Sequence, residues 1–330
     1  MTKMYYDRVL SPKFAQLLEI GGELRWLFDF VKERPDLDLL IGKNNDIQWI
    51  SVYRGLSRCV TINEKGKING AKAYKQICPD LYGSNLGFEK ELKKLLSIIE
   101  KEPKFDRYYK NKKAKDGKEG YFQNEFSRKY GILSNPNSEF VIIDKEVVIG
   151  YDNDETREKL LTPHKEKYKK MFRKISSINP KRYGSTEKRF GNELDFLALD
   201  KNGNIRLIEF KHGGKKCNTS GIYLSPLQIG LYYDIFTEYY KKHKEEFEDV
   251  IFKMLEQKQK IGLINPEWQC PKPINKIIPV LVISEYNYDC SAHKKYDEIM
   301  NICKKEFRNN FLSNIVTHNF TGLELEEWNL

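Results

Sequence analysis

The sequence has few of the features that mark a membrane or secreted protein. Its six cysteines contain no C-x-x-C pair, which argues against a disulfide framework. The longest strongly apolar runs, such as residues 277–283, are too short to span a bilayer. The first residues contain no apolar core of a signal peptide. These absences favour a cytoplasmic protein without disulfides and without a membrane partner.

Several kinds of chemistry are also poorly represented. The chain has five histidines, and none stands in a recognisable Ser/His/Asp or Cys/His arrangement. No P-loop or internal repeat is present, which argues against an ATP-driven motor or a solenoid. Cys290 and His293 have the spacing of half a zinc site, but no second pair stands near them in the sequence.

Positive charge is abundant and is concentrated in two stretches. The 330 residues carry a formal net charge of +10, and the predicted pI is about 9.0, which favours an anionic partner. Residues 163–189 contain ten Lys or Arg against two Glu, and residues 101–118 contain eight against three acids. The alternative is a solvated, lysine-rich surface. If the first stretch binds nucleic acid, the candidate contacts are Lys165, Lys169, Lys170 and Arg173.

Residues 193–211 predict a β-hairpin with charged residues at one end. Two apolar runs flank residues 200–204, whose sequence Asp-Lys-Asn-Gly-Asn is typical of a tight turn. Because strand side chains alternate, Glu209 and Lys211 share one face of the second strand, and hairpin pairing can place Asp195 beside Glu209. Burying these charges is costly without a function. Binding a hard cation such as Mg²⁺ would be such a function, since this ion prefers carboxylate oxygens.

The same residues resemble a known family. Asp195, thirteen intervening residues and then Glu209-Phe210-Lys211 are similar to the D…(D/E)-x-K signature of the PD-(D/E)XK nuclease superfamily. Seventeen residues after Lys211, the run from Gln228 to Tyr232 resembles the Q-x-x-x-Y motif of its RecB and phage-exonuclease-like branch. The resemblance covers about residues 115–290.

The resemblance implies both a fold and a reaction. The fold would be of the α/β (α+β) class. Its restriction-endonuclease-like core would contain a mixed sheet, with helices and strands in the chain order αβββαβ. Asp195, Glu209 and the Phe210 carbonyl would bind Mg²⁺ or Mn²⁺, and Lys211 would orient or deprotonate the attacking water or stabilise the transition state. Gln228 and Tyr232 would position the substrate backbone. The implied reaction is phosphodiester hydrolysis that leaves a 5′-phosphate, with DNA favoured as substrate.

Three further residues are candidates for the same site. Glu125, in the predicted helix after residue 120, would be an additional metal ligand, as a glutamate before the first core strand often is in the resembled fold. The alternative is a surface glutamate paired with Lys129, four residues later. Lys215 and Lys216, in the polar loop after the second hairpin strand, would contact a phosphate.

The predicted organisation has three parts. Residues 1–110 form an α+β accessory region of unknown role, residues 111–290 a nuclease-like core with a basic insert at 151–190, and residues 291–330 a C-terminal helical extension. Residues 11–33 are predicted to be helical, with two glycines, Gly21 and Gly22, where the helix can break. Pro226 is predicted in the first turn of the helix that carries Gln228. The other predicted elements are strands at 47–62, 140–143, 147–149 and 277–284 and helices at 88–99, 165–175, 241–260 and 294–311.

The sequence leaves several alternatives open. A non-catalytic nucleic-acid-binding subunit could keep the nuclease-like fold, although it would have no reason to retain Asp195, Glu209 and Lys211 together. A chance match in an unrelated enzyme or scaffold is a third hypothesis. DNA or RNA, exonuclease or endonuclease, and a homodimer or a partner subunit are not distinguished by the residues.

Overall fold

The computed structural model describes most of the chain. Its described residues are 4–44, 47–70, 93, 96–97, 118–183, 193–213, 219–286, 291–307, 314–322 and 324–328. Lys215 and Lys216, nearly all of the basic stretch 101–118, and Cys290 lie outside these ranges, as does the side chain of His293.

The described elements confirm a mixed α/β class, in which helices accompany sheets of mixed strand direction. The helices are α1 (Pro12–Ala15), α2 (Arg25–Glu33), α3 (Glu119–Lys129), α4 (Asp154–Ile178), α5 (Pro180–Tyr183), α6 (Thr219–Lys242), α7 (Lys244–Ile261) and α8 (Ser291–Phe307). The strands are β1 (Met4–Tyr5), β2 (Asp38–Asn44), β3 (Ile47–Arg54), β4 (Ser57–Asn63), β5 (Ile68–Asn69), β6 (Phe140–Val147), β7 (Gly150–Tyr151), β8 (Leu194–Asp200), β9 (Ile205–His212), β10 (Ile277–Ser284), β11 (Val316–Thr321) and β12 (Glu324–Glu327).

The chain divides into two compact units whose boundaries differ from the predicted domain boundaries. The first unit contains Met1–Tyr6, Ile142–Asp249 and Gln269–Leu330, and the second contains Asp7–Val141 and Val250–Trp268. Strand β6 and helix α7 contribute residues to both units. Among the described residues, no helix is long and apolar enough to cross a membrane.

A six-stranded sheet is the centre of the first unit. Its order is β12-β11-β10-β9-β8-β6. Strands β8 and β9 pair antiparallel, whereas β10 is parallel to both β9 and β11. The interior of this sheet is fully buried, with Phe196, Leu207, Ile208 and Leu281 inaccessible to solvent. Burial on both faces explains why these strands are almost continuously apolar.

The β8–β9 hairpin is confirmed, and its turn residues explain its register. The Asp200 carboxylate accepts hydrogen bonds from the backbone N–H groups of Asn202 (3.0 Å) and Asn204 (2.9 Å). Gly203 adopts φ +74°, a left-handed conformation that glycine allows without a steric penalty. The second Asp200 oxygen accepts from Arg206 Nε at 3.1 Å. These bonds fix the turn, and the pairing of Phe196 with Ile208 follows from it.

The crossover from β9 to the parallel strand β10 is made by α6 and α7. The prediction that Pro226 lies in the first turn of its helix is wrong, because α6 begins at Thr219 and Pro226 lies inside it. A proline has no N–H and so cannot donate to the carbonyl four residues earlier, here that of Ile222. The Ser225 hydroxyl donates to this carbonyl at 2.6 Å and compensates for the missing bond. A local side-chain contact thus lets the helix continue through the proline.

We expect Ser225→Ala to lower the free energy of unfolding by about 1–2 kcal/mol, because it leaves a buried carbonyl without this donor. In a Pro226→Ala background the same change should lower the free energy of unfolding much less, because the new N–H of residue 226 can donate to the Ile222 carbonyl. Urea denaturation of the four proteins gives the coupling energy. If Ser225→Ala lowers the free energy of unfolding equally in both backgrounds, the Ser225 hydroxyl does not compensate for the missing N–H of Pro226.

The C-terminal part of the first unit differs from the predicted helical extension. Helix α8 ends at Phe307, and strands β11 and β12 follow and extend the sheet beyond β10. Residues Glu324–Glu327 form β12, the last strand of the sheet, and its three glutamates are exposed. A charged strand at a sheet edge discourages pairing with other chains. Because these residues are charged, the sequence pattern does not predict a strand here.

The second unit contains an antiparallel sheet in the order β2-β3-β4-β5. Strands β3 and β4 match the predicted strand region, whereas β2 was not predicted. The predicted helix at 11–33 is interrupted before α2, and Gly21 has φ +84° in the break. Helix α3 is tied to this unit by Arg128, whose guanidinium donates to the carbonyls of Val31 (2.9 Å) and Leu37 (2.6 Å). Val31 lies in the last turn of α2 and Leu37 directly before β2, so Arg128 links α3 to the end of α2 and to the start of β2.

Candidate active site

The hairpin places Asp195 and Glu209 next to each other. Phe196 pairs with Ile208, so the preceding and following residues, Asp195 and Glu209, are neighbours across the two strands with side chains on one face. The Asp195 Oδ2 accepts a hydrogen bond from the Phe210 backbone N–H at 2.8 Å. Glu209 is only 1% exposed, whereas the Asp195 side chain is 25% exposed. Glu209 is therefore fully buried, and Asp195 is largely buried with one part of its side chain accessible.

Lys211 lies among three oxygen atoms of this hairpin end. Its ammonium pairs with Glu209 Oε1, donates to the Phe210 carbonyl at 3.1 Å, and lies 3.9 Å from Asp195 Oδ2. The lysine side chain is 14% exposed. The two carboxylates and the carbonyl thus converge on a position that a positive charge occupies.

Helix α6 brings Gln228 and Tyr232 to the same place. Tyr232 is 2% exposed, and its hydroxyl donates to the Glu193 carbonyl at 2.6 Å, just before β8. Gln228 Nε2 lies 3.4 Å from the same hydroxyl. Burial, and to a lesser degree the charge of Glu209, raises the pKa of Tyr232 well above its usual range. The phenol therefore stays protonated and holds the start of β8 against α6.

The surroundings of Asp195 identify two residues that the sequence did not suggest. Burial raises the pKa of Asp195 above its ordinary value, while the Lys211 charge and the Phe210 N–H oppose this rise. Smaller contributions come from Glu146, which raises the pKa, and from Lys145, which lowers it. Both lie near the end of β6, and the Lys145 ammonium is also 5.7 Å from the ring centroid of Phe196. The site therefore includes this strand end.

Glu146 has an unusual backbone conformation. Its φ of +52° lies in the left-handed region, which a non-glycine residue enters at a cost of about 1–2 kcal/mol. The side chain is exposed. A φ value cannot be inferred from the sequence around residue 146, because no glycine or Asn-Gly pair marks it.

The strain at Glu146 predicts a difference between two substitutions that remove the same carboxylate. Glu146→Gly should be more stable than Glu146→Ala by about 1 kcal/mol, because only alanine retains the Cβ that disfavours positive φ. Chemical denaturation of both variants measures the difference. If the Glu146→Ala protein is as stable as the Glu146→Gly protein or more stable, residue 146 is not held at a positive φ.

The donor atoms fit a hard divalent cation. Mg²⁺ and Mn²⁺ prefer one or two carboxylates together with carbonyl, water and phosphate oxygens, and Asp195, Glu209 and the Phe210 carbonyl are of these types. Lys211 would have to withdraw from Glu209 when such an ion binds. Within the described ranges, no group of three His, Cys, Asp or Glu side chains is arranged to hold a metal. A metal here would therefore depend on the carbonyl, on water or on substrate for its remaining ligands.

The remaining predicted site residues that the structure describes are on helices α3 and α4. Glu125 is on α3 in the second unit, where burial raises the pKa of its carboxyl and Arg128 opposes the rise. Lys165, Lys169, Lys170 and Arg173 are on α4, which packs along α6 in the first unit. Lys170 and Arg173 are exposed, and the other two are partly exposed.

Comparison with known proteins leaves the site to be interpreted from its own geometry. No protein-family model, no curated protein and no solved structure matches the chain.

Proposed function

We propose that the protein is a metal-dependent nuclease that hydrolyses phosphodiester bonds, with DNA as the favoured substrate. The observation that carries the proposal is the convergence of Asp195, Glu209 and the Phe210 carbonyl on one cation position, which the Lys211 ammonium occupies. Tyr232 is close enough to feel the charges of Glu209, Asp195 and Lys211, and Gln228 lies beside the Tyr232 hydroxyl. Five residues of the two motifs are thus close together although the last, Tyr232, follows the first, Asp195, by 37 positions.

The order of the elements also supports a restriction-endonuclease-like core. Strands β6, β8 and β9, helix α6 and strand β10 follow the order βββαβ, which is the later part of the order αβββαβ that the family resemblance implies. The crossover through α6 makes β10 parallel to β9, as such a core requires. The basic helix α4 is inserted between β6 and β8, and β11 and β12 are additional strands.

Each residue has a defined role in the proposed reaction. Asp195, Glu209 and the Phe210 carbonyl would hold Mg²⁺ or Mn²⁺. When bound, the metal would lower the pKa of a water molecule and neutralise charge on the scissile phosphate. The Phe210 N–H holds the Asp195 carboxylate in place. Lys211, once released from Glu209, would orient the attacking water or stabilise negative charge in the transition state.

Cleavage assays test this function directly. Labelled single- and double-stranded DNA and RNA are incubated with the wild-type protein in Mg²⁺, in Mn²⁺ and in EDTA. We expect at least one substrate to be cut in a divalent metal and none in EDTA, with 5′-phosphates on the products. Salt-sensitive binding without cutting in any condition would instead favour the non-catalytic nucleic-acid-binding subunit.

A further inference from the structure

The Lys211 ammonium contacts the same oxygen atoms that a divalent cation would need. It pairs with Glu209 Oε1, donates to the Phe210 carbonyl at 3.1 Å and lies 3.9 Å from Asp195 Oδ2. These groups are the proposed ligands of Mg²⁺ or Mn²⁺. An ammonium and a metal ion bound to the same carboxylate oxygen would lie only a few ångströms apart, where like charges repel strongly. Lys211 and a metal therefore compete for these oxygens.

Burial makes this competition strong. Glu209 is buried and the Lys211 side chain is largely so, and buried charges are screened by water and salt much less than exposed ones. A divalent ion in place of the ammonium would match the charge of the Asp195 and Glu209 carboxylates. The ion and the ammonium together would leave excess positive charge among these groups. The metal is therefore expected to bind well only when the lysine has moved away.

Lys211 can leave this position if another anion accepts its ammonium. A lysine carries its charge on a flexible four-carbon stem, and a phosphate is a good partner for it. Lys211 lies one residue before the end of β9, and its side chain, like that of Asp195, is partly accessible to solvent. A phosphate that approaches from solvent can therefore take the ammonium from Glu209. Phosphate binding and metal binding then favour the same displaced state of one side chain.

We propose that Lys211 couples metal binding to nucleic-acid binding, because its ammonium blocks the metal position until a backbone phosphate draws it away. The proposal rests on the proposed function for the identity of the phosphate ligand. The apparent metal affinity without nucleic acid is reduced by the fraction of molecules in which the lysine is displaced. By linkage, nucleic acid and metal raise each other's affinity by the same factor. The site thus takes up its metal together with its substrate.

The test measures Mn²⁺ affinity by electron paramagnetic resonance, with and without DNA. The DNA is a single strand or a duplex with phosphorothioate linkages, which resist hydrolysis, and Mn²⁺ bound by DNA alone is subtracted. We expect DNA to tighten Mn²⁺ binding to the wild type by about tenfold or more. Lys211→Met should bind Mn²⁺ about tenfold more tightly than the wild type without DNA, and DNA should add several-fold less. Lys305→Met, which removes an exposed lysine of α8, should behave like the wild type.

The outcomes separate this proposal from the proposed function. If wild type and Lys211→Met differ as expected but no substrate is cleaved, the coupling stands and only the nuclease activity fails. If the wild type cleaves DNA while DNA tightens Mn²⁺ equally in all three proteins, the coupling through Lys211 is refuted and the nuclease stands. The wild-type measurement needs no folded variant, and a Mn²⁺ affinity that DNA leaves unchanged would overturn the proposal by itself.

Discussion

Asp195→Asn should lower metal-dependent cleavage by about a hundredfold or more while the protein remains folded. The asparagine oxygen can still accept the Phe210 N–H bond of 2.8 Å, so the hairpin keeps its geometry. The charge that holds a divalent cation is lost, and with it the chemistry that the cation supplies. Single-turnover cleavage of the best substrate, with wild type and variant at equal concentration, measures the effect.

Asp144→Asn is the matched control for this substitution. Asp144 is a buried carboxylate on β6 of the same sheet, and its Oδ2 accepts a hydrogen bond from the Tyr6 hydroxyl at 2.8 Å. Its replacement should affect stability but leave the cleavage rate within about twofold of wild type, because Asp144 is not among the groups that affect Asp195. Unchanged cleavage in Asp195→Asn would remove this residue from the mechanism.

Lys211→Met should lower the free energy of unfolding by about 3 kcal/mol in EDTA at pH 7. The lysine is the ion-pair partner of Glu209, which is 1% exposed, and removing one partner of a buried pair is strongly destabilising. Methionine preserves most of the apolar stem, so the loss reports the charge rather than the packing. Urea denaturation measures it, and cleavage should be lost as well.

A second substitution tests this explanation. Lys211→Met/Glu209→Gln removes both charges and should recover most of the lost stability, because no buried carboxylate is left without its ammonium. Cleavage should not return, since Glu209 is also a proposed metal ligand. A double variant no more stable than Lys211→Met would show that the cost comes from something other than the ion pair.

The sequence predicts the hairpin and its charged end well because local rules determine both. Alternation of side chains places Glu209 and Lys211 on one face, and the Asp-Lys-Asn-Gly-Asn turn fixes the register that adds Asp195. The four-residue spacing of Gln228 and Tyr232 puts both on one side of α6. Neither result depends on distant parts of the chain.

The features that were missed depend on contacts that a linear pattern does not show. Pro226 predicts a helix start, but the Ser225 hydroxyl replaces the bond that the proline cannot make. Strand β12 is too acidic to resemble a buried strand, because it lies at the sheet edge. Glu146 acts on Asp195 from the end of β6, which the strand order places beside β8, and its positive φ has no marker in the sequence.

The most direct test of the central claim is to count bound Mn²⁺ by electron paramagnetic resonance, without substrate. Asp195 and Glu209 are proposed to share one divalent cation, so the wild type should bind Mn²⁺ at a site that Glu209→Gln loses. Asp144→Asn should retain the site, and Lys211→Met should bind at least as tightly as wild type, because the competing ammonium is gone. Equal Mn²⁺ binding by wild type and Glu209→Gln would contradict the account.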